Sequence, residues 1–263
     1  MSRIAGTFEK LQGHRAALVG YVTGGFPSLS GSLDLARTLL RHCDLLEIGL
    51  PFSDPVMDGP ILQETSRVAL EEGFRPGDVC EMARRLREDG CDKPLLVMTY
   101  YNPLLRFGHA AFATQAQQAG IDGVIIPDLP PEEAEDWLAA AWAAELDNIP
   151  FVAPNTPSER IAGNAASGSG FLYCIASLGI TGTRERLDDG LEAYARRVRE
   201  RASLPLVLGI GISTPRQCAQ AGQLADGVVV ASAFMREYQR AHDDGGDPLA
   251  AVEVLAGSMR ASL

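Results

Sequence analysis

The chain has 263 residues, of which 46% are hydrophobic, and a formal net charge of -11. This acidic balance disfavours nucleic acid as a partner and suits a small molecule or another protein better. No apolar run reaches the roughly 18 residues that a membrane-spanning helix needs, and the N-terminal residues have no signal-peptide core. We therefore predict a cytoplasmic protein that binds neither nucleic acid nor membrane.

Short apolar runs alternate with longer amphipathic stretches along the whole chain. Each run is unbroken rather than alternating, which is typical of strands that are covered on both faces. The predicted strands are residues 17–22, 45–49, 95–98, 123–127, 150–153, 171–175, 204–209 and 227–231. Residues 3–13 predict a leading helix, and Thr214 and Pro215 are typical of the N-cap and first position of a later one.

Eight strand-helix units in a chain of this length predict an α/β fold, a (β/α)₈ TIM barrel with an extra N-terminal helix. A doubly wound open sheet is the alternative that the pattern leaves open. No proline-rich linker or charge block divides the chain, and residues 243–247 predict a loop before the last helix. We therefore expect a single domain over residues 1–263.

Two carboxylates follow one another at the end of the second predicted strand. Glu47 lies inside an apolar run, and Asp58 closes a turn in the loop that follows. In a barrel this is the end where functional residues gather. A carboxyl group in a half-dry site has a raised pKa and can exchange protons near neutrality. A structural tether to a hydroxyl group or an arginine is the alternative for Glu47.

The residues that other barrel mechanisms require are poorly placed in this sequence. Lys10 falls in the leading helix, and Lys93 precedes the third strand at the opposite mouth, so neither suits a Schiff base. The histidines have no metal-ligand spacing, and we expect no metal site. Acid-base catalysis by carboxylates without a cofactor is the mechanism that remains.

Late glycine-rich turns predict a second part of the site. Residues 209–213 and 228–234 follow the seventh and eighth strands, where barrels commonly bind phosphate through backbone N–H groups. Ser232 is a candidate cap for the helix that follows. The long polar segment 176–190 has the character of a lid that closes over substrate.

Several of these stretches together resemble one known family, the tryptophan synthase alpha chain. The resemblance covers essentially the whole chain, and its most specific part is the stretch LLEIGLPFSDPVMDGP. The stretches, in chain order, are YVTGGFPS, LLEIGLPFSDPVMDGP, GVIIPDLPPEE, LGITGTR and GIGIS.

The resemblance implies cleavage of indole-3-glycerol phosphate to indole and glyceraldehyde 3-phosphate, a retro-aldol step in tryptophan biosynthesis. Glu47 matches the acid-base that protonates indole C3 and helps to deprotonate the glycerol hydroxyl. Asp58 matches the carboxylate that contacts the indole N–H and stabilises its positive charge.

Other positions match substrate-binding residues of the family. They are aromatic residues, an indole-slot residue, lid residues and phosphate-binding residues: Tyr21, Tyr100, Tyr173, Ile125, Thr181, Gly182, Ile210, Gly211, Ala231 and Ser232. The family often has glycine where this chain has Ala231. A methyl group is tolerated there only if that residue keeps a negative φ.

The resemblance also implies a partner, the tryptophan synthase beta chain, in an alpha-beta-beta-alpha heterotetramer. The loops at residues 51–59 and 176–190 would face that partner. Pyridoxal phosphate would belong to the beta chain, so we expect no cofactor in this one. Two other interpretations stay open: a stand-alone lyase that releases free indole, and a catalytically silent regulatory subunit. Another phosphate-binding barrel, such as a sugar-phosphate isomerase, does not account for the loop motif.

Overall fold

A single parallel sheet organises the computed structural model, which describes residues 2–175, 190–209 and 211–263. Within those residues the sheet has nine strands in the order β5-β4-β3-β2-β1-β9-β8-β7-β6. Their bounds are β1 Ala17–Thr23, β2 Leu45–Gly49, β3 Leu95–Met98, β4 Gly123–Ile125, β5 Asp147–Ile149, β6 Phe151–Val152, β7 Leu172–Ile175, β8 Leu206–Gly209 and β9 Gly227–Val230. The predicted barrel is confirmed, with its two ends meeting at β5 and β6.

The fifth predicted strand differs from the prediction. It begins at Asp147 rather than residue 150, and Pro150 divides it into β5 and β6. β5 pairs with β4, whereas β6 pairs with β7. Proline has no N–H to donate to a neighbouring strand, so the ladder is interrupted at this point. Eight predicted strands therefore become nine in the described part of the chain, and the sheet forms a nearly closed barrel.

Helices cover the outside of the barrel. Over the described ranges they are α1 Arg3–Leu11, α2 Leu29–Leu40, α3 Pro60–Glu71, α4 Pro76–Glu88, α5 Tyr101–Phe107, α6 His109–Gln118, α7 Glu135–Ala143, α8 Ser158–Ala166, α9 Leu191–Arg199, α10 Pro215–Gly222, α11 Ser232–Asp243 and α12 Pro248–Ala261. The predicted start of α10 is confirmed, since Thr214 caps it in a capping box with Gln217. The predicted loop between α11 and α12 is also present.

The inside of the barrel is a separate apolar cluster. Alternate residues of the strands point inward, among them Val19, Leu96 and Val229, which are at most 2% exposed. Helix α1 closes the end of the barrel where the strands begin. Its Phe8 packs against Phe171 with ring centroids 5.7 Å apart, and its Ile4 is fully buried. The interior is therefore dry below the level of the candidate site.

Aspartates fasten the beginnings of the strands to one another. Three of them immediately precede a strand, and each carboxylate accepts a hydrogen bond from a backbone N–H at the beginning of the neighbouring strand. The pairs are Asp44 with Leu18 N–H, Asp122 with Leu95 N–H and Asp226 with Leu206 N–H, at 2.7–2.9 Å. Each carboxylate also pairs with an arginine. The charges thus satisfy backbone groups at the end of the barrel remote from the candidate site.

Asp122 is the most buried of these aspartates. Its side chain is 6% exposed and lies 2.7 Å from both Arg3 and Arg87. Arg87 is itself 15% exposed and also donates to three backbone carbonyls.

A membrane-spanning helix needs both sufficient length and sufficient hydropathy, and none of the described helices meets both requirements.

Asp122→Ala should lower the free energy of unfolding by about 3 kcal/mol, because it leaves the buried Arg87 without its carboxylate and Leu95 without its acceptor. The measurement is urea denaturation at pH 7. Asp89→Ala is the control: it removes an ion pair with Arg37 in which both side chains are more than 40% exposed. That loss should be below about 1 kcal/mol. Equal losses in the two variants would contradict the importance that we assign to Asp122.

Candidate active site

Glu47 is a buried carboxyl group on the strand β2. It lies in the middle of β2, in register with Tyr21 of β1 and Leu96 of β3, and is 0% exposed. Among the residues that the structure describes, neither carboxylate oxygen finds a donor. The structural tether considered from the sequence is thus not formed with any of the described residues. Burial raises the pKa of Glu47 from its ordinary value of 4.5 to about 8, so the group is mainly protonated at neutral pH.

Asp58 lies in the loop between β2 and α3 and faces the same space. Its N–H donates to the Pro55 carbonyl at 3.0 Å, which closes the predicted turn. Burial raises the pKa of Asp58 to about 6, although a hydrogen bond with the Tyr100 hydroxyl acts in the opposite direction. The two carboxyl groups therefore differ in proton affinity, and near pH 7 one is mainly neutral while the other is mainly ionised.

Two tyrosines flank the carboxyl groups, and each lies over a glycine of the neighbouring strand. A Cβ added at Gly49 would be 2.0 Å from the Tyr21 hydroxyl oxygen, and one at Gly209 would be 2.3 Å from that of Tyr173. Both glycines stand two residues beyond the register partner of the tyrosine. Burial raises the pKa of both phenols. They consequently stay neutral and act as polar walls of the site.

Most of the described site residues predicted from the sequence line one cleft. Those that do are Tyr21, Glu47, Asp58, Tyr173, Gly211, Ala231 and Ser232. Tyr100 lies behind Asp58, outside the lining. Ile125 is fully buried in the apolar cluster inside the barrel, so its role in an indole slot stays a prediction. Thr181, Gly182, Ile210 and most of the predicted lid fall outside the described residues.

Sequence reasoning missed several apolar residues of the cleft. These are Met57, Leu62, Met98, Pro127, Phe151, Ile212 and Val229. Phe151 stacks on Tyr173 with ring centroids 4.3 Å apart and planes 13° from parallel. Inward-facing parity along the strands is the signal that identifies Met98 and Val229. Phe151 gave no such signal because its strand is broken at Pro150. The cleft thus combines an aromatic wall with two carboxyl groups.

The far end of the cleft is formed by backbone. Gly211 has a φ of +90°, which favours glycine. Ala231 has a φ of -114°, so its methyl group is tolerated as the sequence required. Ala231, and not Ser232, is the N-cap of α11. Ser232 is instead the first helical residue, and the alanine side chain leaves the first N–H groups of the helix without a side-chain cap. That arrangement suits an anion.

The lysines lie away from the cleft. Lys10 is part of α1, and the Lys93 ammonium group donates to the carbonyls of Leu40 and Cys43, before the strands begin. In the three described stretches no group of three or more His, Cys, Asp or Glu side chains is arranged to hold a metal ion. The described part of the cleft therefore offers acid-base groups and backbone donors as its chemistry.

The fold is that of a barrel enzyme, and its cleft brings together two carboxyl groups of different proton affinity. The family model for the tryptophan synthase alpha chain matches residues 8–263. The chain is 47% identical over 243 residues to the tryptophan synthase alpha chain of Roseiflexus sp. (strain RS-1), with 92% of this chain and 93% of the relative covered. It is 44% identical over 242 residues to that of Chloroflexus aurantiacus, with 91% of each covered.

Solved structures agree with the sequence relatives. A structure of Mycobacterium tuberculosis tryptophan synthase has a TM-score of 0.91 and 36% identity, covering 99% of this chain and 98% of that one. The alpha chain from Legionella pneumophila subsp. pneumophila has a TM-score of 0.92 and 35% identity, covering 100% and 97%. The chain belongs to the tryptophan synthase alpha chain family. It has the role of the alpha subunit in tryptophan biosynthesis. It is a lyase that cleaves indole-3-glycerol phosphate to indole and glyceraldehyde 3-phosphate.

Glu47→Gln should stabilise the protein more at pH 8 than at pH 5. The pKa of Glu47 is raised in the folded state from 4.5 to about 8. The contribution of Glu47 to the free energy of unfolding is therefore highest below pH 4.5, where the group is protonated in both states, and it falls as the pH rises towards 8. Glutamine has no proton to lose, and the difference in free energy of unfolding should grow by roughly 3 kcal/mol between the two pH values. Urea denaturation of both proteins measures it, and the pH 5 comparison is the internal control. A difference that does not change with pH would contradict a raised pKa for the buried Glu47.

Proposed function

We propose that Glu47 is the acid-base of the lyase reaction and that Asp58 stabilises the charge that develops on the indole ring. The observation that carries this proposal is the fully buried carboxyl group of Glu47, which has no hydrogen-bonding partner among the described residues and whose pKa of about 8 keeps it protonated at neutral pH. A group in this state is able to donate a proton first and take one back afterwards.

Glu47 carries out both proton transfers of the cleavage, and Asp58 stabilises the charge on the ring. Protonated Glu47 gives its proton to indole C3, and the Asp58 carboxylate contacts the ring N–H while the ring carries positive charge. The Glu47 carboxylate then takes the proton of the glycerol hydroxyl next to the ring. The carbon-carbon bond breaks, its electrons return to the ring, and the hydroxyl carbon becomes the aldehyde of glyceraldehyde 3-phosphate. Glu47 ends protonated, as it began.

The other site residues would bind and orient the substrate. We propose that Tyr21 and Tyr173 hold the indole ring, with Phe151 extending the aromatic wall. The phosphate would be bound at Gly211, Ala231 and Ser232, where the N-terminus of α11 offers N–H groups and a partial positive charge. The family resemblance proposes further substrate contacts, which are Ile125, Tyr100, Thr181, Gly182 and Ile210.

We further propose that residues 1–263 act as one domain.

Glu47→Gln should lower kcat by about 10² to 10⁴-fold, and Asp58→Asn by about 10² to 10³-fold. In the wild-type enzyme, kcat/KM should rise with pH as Asp58 ionises near pH 6 and fall as Glu47 ionises near pH 8, because kcat/KM reports the pKa values of the free enzyme. Steady-state cleavage of indole-3-glycerol phosphate between pH 5 and 9 measures both effects. The phosphate of the substrate also titrates near pH 6, so the acidic limb is compared with that of Asp58→Asn, in which only the phosphate still titrates.

Asp54→Asn is the matched control for these variants. Asp54 belongs to the same loop as Asp58, but it is exposed and its carboxylate accepts a hydrogen bond from Ser53 at 2.6 Å. Its replacement should leave kcat within about twofold, as for most surface substitutions. A Glu47→Gln variant with near wild-type turnover would overturn the proposed role of the buried acid.

We also propose that the chain works in the cytoplasm with a beta chain that carries the pyridoxal phosphate, and that it needs no cofactor itself. Exposed apolar side chains beside the site support a docking surface: Val56 is 77% exposed, Met57 42% and Leu105 52%. Such side chains next to a functional loop are typical of a partner site. Val56 and Met57 immediately precede Asp58, so a bound partner would act directly on the loop.

Addition of a tryptophan synthase beta chain should therefore raise the rate of cleavage at least tenfold. Leu105→Glu should weaken this stimulation, because it places a charge in the proposed apolar contact. Val254→Glu is the matched control, since Val254 is 71% exposed on α12 and outside the proposed surface. Fast cleavage by the chain alone that the beta chain does not change would instead identify a stand-alone lyase.

A further inference from the structure

Asp128 connects two loops at the mouth of the barrel. It lies in the loop after β4, yet its carboxylate accepts a hydrogen bond from the backbone N–H of Tyr101 at 2.8 Å. Tyr101 is the first residue of α5, and the N-cap residue of that helix, Tyr100, supplies no side-chain cap. A carboxylate at this position satisfies one of the free N–H groups and suits the positive end of the helix. Asp128 therefore holds the start of α5 from a separate element.

The start of α5 determines where the Tyr100 hydroxyl lies. Tyr100 is 4% exposed, and its ring packs on Phe52 with centroids 5.4 Å apart. Its hydroxyl accepts a hydrogen bond from the Met57 N–H at 2.9 Å and is hydrogen-bonded to the Asp58 carboxylate. One phenol thus holds two consecutive residues of the loop that carries Asp58.

We propose that Asp128 is a positioning residue for Asp58 and acts through Tyr100. By fixing the first turn of α5, it keeps the phenol at the distance that places both the loop backbone and the carboxylate of Asp58. Asp128 is exposed and does not line the cleft, so it has no direct part in the chemistry. The inference rests on the proposed role of Asp58 and adds to it a residue, Asp128, that positions the Asp58 carboxylate.

The charge environment of Asp58 gives the proposal a specific readout. Among the described residues, Asp58 interacts with the phenols of Tyr21 of β1, Tyr100 and Tyr173 of β7. Glu47 of β2 lines the same cleft. Of these, Tyr100 is hydrogen-bonded to it and favours its ionised form. A displaced Tyr100 should leave the pKa of Asp58 higher. The acidic limb of the pH profile should then move to higher pH, an effect that simple destabilisation of a helix would not produce.

Asp128→Ala should lower kcat about fivefold to tenfold, which is the effect of losing one exposed hydrogen bond and loosening a second. Its acidic limb should move up by about half a pH unit, and amide hydrogen exchange at Met57 should become faster. Asp128→Ser, too short to reach Tyr101, should do the same. Asp128→Asn keeps the acceptor and should restore kcat to within about twofold of wild type.

A double-mutant cycle with Tyr100→Phe tests the route of the effect. If Asp128 acts through the phenol, Asp128→Ala should change kcat by less than about twofold in the Tyr100→Phe background. Asp247→Ala is the matched control, because Asp247 caps α12 through the N–H groups of Leu249 and Ala250. It removes the same kind of cap outside the candidate site and should leave the acidic limb in place.

Two outcomes would overturn the inference: equal effects of Asp128→Ala with and without the Tyr100 hydroxyl, or unchanged Met57 exchange in the Asp128 variants. The exchange measurement does not depend on the reaction. Faster exchange at Met57 together with an Asp58→Asn variant of normal turnover would therefore keep the Asp128 contact and reject the proposed function of Asp58.

Discussion

The burial of one carboxyl group is the constraint on which the site depends. Glu47 is held in a strand that is covered on both sides, above an interior that α1 closes with Ile4 and Phe8. No donor among the described residues reaches its oxygens. The barrel therefore tolerates a group that it does not stabilise in its ionised form. The resulting proton affinity near neutrality is what acid-base chemistry requires.

The wall around this group is built by pairing large side chains with glycines. Tyr21 and Tyr173 fold over Gly49 and Gly209, in the same relation on two separate strand pairs. A single methyl group at either glycine would displace a phenol from the cleft. The glycines at these strand ends thus have a packing role, in contrast to Gly211, whose positive φ serves the turn after β8.

Much of the fold followed from the sequence because unbroken apolar runs mark strands that are covered on both faces. The ranges 45–49 and 95–98 agree with β2 and β3 at both ends. The strand at Asp147 was missed because Asp147 and Asn148 have no apolar pattern. Asn148 is held there by a tertiary contact, since its Oδ1 accepts a hydrogen bond from Trp137 Nε1 at 2.8 Å. The prediction that Ser232 caps α11 was wrong by one residue, because the N-cap is Ala231. Capping depends on backbone angles that composition does not reveal.

The sequence by itself determined the succession of strands and helices, the family and the positions of Glu47 and Asp58 beside one strand end, because these depend on local periodicity and on one contiguous loop motif. Only the tertiary structure decided which side chains share the cleft. It brought Phe151 onto Tyr173, buried Ile125 inside the barrel, and joined Asp128 to the start of α5. These contacts join residues that are distant in the chain, and their geometry is set by strand register, which no single segment encodes.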